Sequence, residues 1–102
     1  MDPIVEISLK NILSNKKINS DDKSQFILII NRISMFETTK NQLQRQNAYH
    51  ILFNALNEEI LFLEEQISFS NKKLNGNTQI FFNDFLSYQI KIYKECLSEL
   101  NL

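Results

Sequence analysis

The stretch "AYHILFNALNEEILFLEEQISFSNKKLNGNT", Ala48 to Thr78, decides the fold. Tyr49, Phe53, Leu56, Ile60, Leu63, Ile67 and Leu74 recur in alternating steps of four and three, and only Ser70 interrupts the series. That period is a helix burying one stripe. Leu52, Ala55, Phe62 and Phe69 widen the stripe into a shoulder, as in a helix packed against more than one neighbour. Gly76 ends it, because a residue without a Cβ is free to take the left-handed conformation of a helix C-cap.

Downstream, Phe82, Leu86, Tyr93, Leu97 and Leu100 fall on one helical line, with Phe81, Phe85, Tyr88, Ile92 and Cys96 on the next. A second helix is therefore expected. The connection at Gly76 is so short that the two, about 41–74 and 78–101, must form an antiparallel hairpin.

Upstream, "MDPIVEISLKNIL" carries a helix start. Asp2 can cap free N–H groups, Pro3 suits the first helical position, and Val5, Leu9, Ile12 and Leu13 share a face. Ser20, followed by Asp21 and Asp22, reads as a second start, with a capping hydroxyl and acids at the positive end of the helix dipole. In "FILIINRISMF", Phe26, Ile30, Ile33 and Phe36 step like a helix face, although Phe26 to Ile30 taken alone also fits a short buried strand. Helix is favoured because no other segment offers a convincing partner strand. Glu37 to Asn47 is nearly all polar and fits either a loop or an exposed stretch of a long helix. The expected class is all-α: three to four helices in one small bundle over residues 1–102.

Composition narrows the function. A net charge of −1 gives no global field for nucleic acid, and a single cysteine, Cys96, forms neither an internal disulfide nor a cysteine-rich zinc site. The longest unbroken apolar run, Phe26 to Ile30, is far short of the roughly 20 residues a membrane span needs. With no basic and apolar leader pattern at the start, an intracellular setting, cytoplasmic or nuclear, is expected.

Four carboxylates, Glu58, Glu59, Glu64 and Glu65, stand in the apolar stretch. Helical di-metal bundles use Glu-x-x-His pairs, and this chain has one His and no such pair. The carboxylates therefore read as a solvated face, with Lys91 and Lys94 across the hairpin, or another chain, as partners. No metal or cofactor is expected. Cys96 reads as a small buried hydrophobe.

The wide apolar arc of the last helix points to a non-enzymatic protein–protein interaction module: an oligomer, a small subunit of a larger assembly, or an adaptor or inhibitor. Its expected aromatic anchors are Tyr49, Phe53, Phe81, Phe85, Tyr88 and Tyr93. The alternative rests on "RQNAYH", Arg45 to His50, whose R-x4-H spacing resembles the signature of the HEPN ribonucleases. That resemblance covers six residues, and Gln46 stands where the family more often has Asn. It implies a helical dimer acting on an RNA phosphodiester, with His50 transferring protons and Arg45 steadying the phosphate charge.

Overall fold

The computed structural model describes residues 3–15, 18–74 and 76–100, with no side chains at 3–5, 8, 9 and 12. Asp2, Lys16, Lys17 and the side chains of Val5, Leu9 and Ile12 lie outside the described residues. The described residues form four helices and no strand: α1 (Pro3–Ser14), α2 (Ser20–Arg45), α3 (Tyr49–Lys73) and α4 (Gly76–Glu99). The all-α expectation holds, and Phe26 to Ile30 lies within α2.

The start of α2 is shifted by one residue from the expected cap. Asn19, in extended backbone, accepts the Asp22 N–H on its Oδ1 at 2.8 Å, and Ser20 is already helical. Either side chain can cap, but the residue whose backbone is extended does so. Asp21 and Asp22 occupy the first turn as expected.

The polar stretch from Glu37 resolves into both of its readings. It is helix as far as Arg45, and the chain then turns at Gln46–Ala48, so α3 begins at Tyr49 rather than near 41. The turn is a Schellman motif: the Ala48 N–H bonds to the Leu43 carbonyl at 2.9 Å, and the Asn47 N–H to that of Gln44 at 3.1 Å. Asn47 takes the left-handed position, φ 56°, which Asn tolerates better than most residues. Helix persists through the polar stretch because the buried stripe does. Phe26, Ile29, Ile33 and Phe36 are buried, and Leu43, seven residues beyond Phe36, still packs on the core.

At the second corner Leu74 caps α3 in extended backbone, its N–H bonded to the Ser70 carbonyl at 2.9 Å. Gly76 does take a left-handed φ, 61°, but as the first residue of α4 rather than as the cap of α3.

Three helices pass one another up, down and up. Gln25 Nε2 donates to Gln66 Oε1 at 3.1 Å and Arg32 pairs with Glu59, which makes α2 antiparallel to α3. Gln79 and Asn83 both donate to Asn71 Oδ1, at 3.0 and 2.8 Å, fastening the start of α4 to the end of α3. Of the two lysines expected to face the α3 carboxylates, Lys94 reaches Glu64, at 4.0 Å. α1 packs against α4.

Rings join α2 to α4, which run parallel. Phe26 meets Phe82 edge-on at 4.7 Å and Phe85 at 4.9 Å, and Phe36 meets Tyr93 edge-on at 5.3 Å. Leu52, Leu56, Ile60 and Leu63 close the core from α3. Ser70, the interruption in the α3 stripe, is fully buried in step with it. Its hydroxyl has no hydrogen-bond partner, so the place is filled by a small side chain at some polar cost.

Phe26 is completely buried between two rings of α4. Phe26→Ala is expected to cost about 3–5 kcal/mol in urea unfolding, the usual range for a lost core ring. A cost below about 1 kcal/mol would place α2 elsewhere.

Candidate interaction surface

Most of the wide arc of α4 is consumed inside the chain. α4 packs against α1 and α3 and receives the rings of α2. Phe85 (2% exposed) and Tyr93 (0%) are therefore core residues, which corrects their expected role as anchors for a partner. Phe53 and Tyr88 are half-buried. Tyr49 and Phe81 remain exposed, and the Tyr49 hydroxyl donates to Asn47 Oδ1 at 2.8 Å.

The most exposed large apolar side chains of α2 lie on its other side. Leu28 is 64% and Met35 73% exposed, two turns apart and therefore on one line of the helix. Between them stands Arg32, which donates to both oxygens of Glu59 at 3.1 to 3.3 Å. Its guanidinium lies 3.7 Å from the centre of the Phe62 ring. Glu59 is thus spent on α2 rather than on the lysines of α4. The pair is half in water on the Arg32 side, and such pairs contribute at most about 1 kcal/mol. It fixes the floor of a shallow groove of about 390 Å³ lined by Leu28, Asn31, Arg32, Met35, Phe36, Thr39 and Glu59.

Leu28 and Met35 were not among the expected anchors. Their signal was present in the sequence: two apolar residues seven apart, off the Phe26–Ile30–Ile33 line.

The remaining carboxylates are surface groups. Glu64 makes the long pair with Lys94, Glu58 and Glu65 are exposed, and no group of three or more metal-ligating side chains exists among the described residues. Arg45 and His50 fall on opposite sides of the turn. Arg45 ends α2 with its Nε donating to the Asn41 carbonyl at 3.3 Å, and His50 is exposed in the first turn of α3. The depression beside Arg45 is lined by Asn41, Gln44 and Arg45, without His50.

A larger opening, about 570 Å³, lies between α2 and α4 and is lined by Ile33, Ser34, Glu37, Thr38, Lys40, Asn41, Gln89 and Ile92. Its two charges are spent on each other, with Lys40 Nζ 3.0 Å from Glu37 Oε1. Neither His nor Cys is among these lining residues, so none of them forms a nucleophile–base pair of the Cys–His or Ser–His kind. Nearby, burial pushes the Tyr93 phenol far above its ordinary range, and Glu59 and Glu37 push it the same way. Gln89 and, more weakly, Arg32 oppose this, but the hydroxyl stays short of a well-formed hydrogen bond. Burial likewise pushes the half-buried Cys96 thiol up, against the opposing pull of Lys40.

No described helix is long and apolar enough to cross a membrane. The chain matches no family model, and no curated protein or solved structure matches it.

The raised thiol gives a measurable consequence, since the thiolate is the reactive form. At pH 8, Cys96 in the folded chain is expected to react with a disulfide reagent more slowly than in the urea-unfolded chain. Equal rates would mean that the packing of α4 on the core does not shield it.

Proposed function

We propose that this chain is a non-enzymatic helical module for protein–protein interaction, and that its docking face is the α2–α3 groove around Leu28 and Met35. One observation carries the reading. Two large, flexible apolar side chains stand in water on a helix whose opposite side is fully used in the core. Met adapts to irregular partner surfaces, and an Arg held over an aromatic ring is preorganised for a contact at the centre of an interface. The role fits an oligomer, a small subunit or an adaptor.

The ribonuclease reading keeps only its six-residue spacing. A catalytic pair would need His50 and Arg45 to converge on one phosphate, directly or across a dimer.

The docking face is tested by Leu28→Glu with Met35→Glu. The double variant is expected to keep its helical signal and its unfolding midpoint, because both side chains are outside the core. It should lose, by about tenfold or more, whatever self-association or subunit binding the unaltered chain has. Association unchanged by both substitutions would place the interface elsewhere. RNA incubated with the chain is expected to stay intact. Cleavage that His50→Ala abolishes in a folded protein would reinstate the ribonuclease.

A further inference from the structure

We propose that the Gln46–Ala48 corner is an exchange hinge. In this second state α2 and α3 join into one helix, and the 3–45 segment of one copy packs on α3–α4 of a second copy, reciprocally.

The corner is short, and what holds it is two Schellman bonds and the Tyr49–Asn47 bond rather than a residue that breaks a helix. Asn47 holds a left-handed backbone without being glycine. Neither Gly nor Pro occurs anywhere from Ile4 to Asn75, so the chain has no obligatory helix breaker at this turn. The first turn of α3 is also poorly terminated. Its N-cap, Ala48, makes no side-chain cap bond, and the Ala48 carbonyl takes up the N–H of Leu52, at 3.0 Å. The N–H groups of Tyr49, His50 and Ile51 are the ones a helix start leaves without intrahelical acceptors. A continuous helix supplies those acceptors from residues 45–47 and returns Asn47 to right-handed backbone.

Exchange keeps the core contacts. Phe26 against Phe82 and Phe85, Phe36 against Tyr93 and Arg32 against Glu59 re-form between chains as they stand within one. α1 travels with α2, to which it is joined by five residues, 15–19, and meets the second copy's α4 as it met its own. The hinge residues of the two copies meet near the two-fold axis, where reciprocal exchange places them. There Tyr49 and Ile51, 42% and 61% exposed in the single chain, gain a neighbour. Opposing all this is the association entropy, so the balance depends on concentration and is sensitive to residue 47.

The test uses the full chain with Cys96→Ser, Gln25→Cys and Gln66→Cys, since the two glutamines touch across α2 and α3. The protein is refolded at roughly millimolar concentration, where mass action favours exchange. It is then separated by size and oxidised, and each fraction is run on a denaturing, non-reducing gel. A dimer fraction whose thiols at 25 and 66 have joined two chains is the expected result. Asn47→Ala should raise that fraction at least about fivefold over Asn47→Gly, because only the glycine variant holds the left-handed corner without strain. Circular dichroism of both variants verifies that they are folded. A wholly monomeric chain in both variants overturns the proposal, as does a dimer whose disulfides form only within chains. Leu28→Glu with Met35→Glu should leave the exchange intact, so failure of the docking face and failure of the hinge are separable.

Discussion

The structure depends on the aromatic seam between α2 and α4. Phe26 enters the space between Phe82 and Phe85, and Phe36 meets Tyr93 two to three turns further along. α2 is antiparallel to its immediate neighbour α3 and reaches α4 mainly through these large side chains. Without them the α3–α4 hairpin would present an apolar arc too wide for one contact. With them, that arc becomes the inside of a three-helix core, against which α4 also receives α1. Edge-on ring pairs add about 0.5–1.5 kcal/mol each beyond the area they bury, which sets the relative placement of the two helices as well as their cohesion.

The hairpin was legible in the sequence because the four-and-three spacing from Tyr49 to Leu74 is long and unambiguous, and Gly76 punctuates it. The α2 stripe was legible as well. Asn47 was not. The difference between a turn and a continuous helix at 46–48 comes down to one non-glycine residue taking φ 56°, and no local pattern announces that. The N-cap was off by one residue because Asn19 and Ser20 are both good caps and only the backbone decides between them. The same limit explains the interface anchors. Spacing identifies which residues share a face of α4, but not that α2 will cover that face, so Phe85 and Tyr93 read as free when they are core. Leu28 and Met35 carry a visible spacing off the core line of α2, but it gains meaning only because the opposite side of α2 is buried.

The carboxylates of α3 illustrate how tertiary placement divides an apparent cluster. Glu59 is drawn to Arg32 of α2, Glu64 stands at arm's length from Lys94, and Glu58 and Glu65 face water. Four acids within eight residues thus serve three different surroundings. The surface that Arg32 organises sets exposed apolar side chains beside a guanidinium fixed by a ring and a carboxylate.

A single chain turns twice, at 46–48 and again between α3 and α4, to bring α2 back alongside α4. Small-angle X-ray scattering at low concentration, with the mass measured in the same run, tests it most directly. A folded monomer should give a radius of gyration close to the 14.4 Å of its Cα trace, with a long dimension near 44 Å before side chains and hydration are added. A monomer with a dimension near 80 Å, the length of an unbroken helix over residues 20–73 at 1.5 Å per residue, would contradict the bundle and the aromatic seam together.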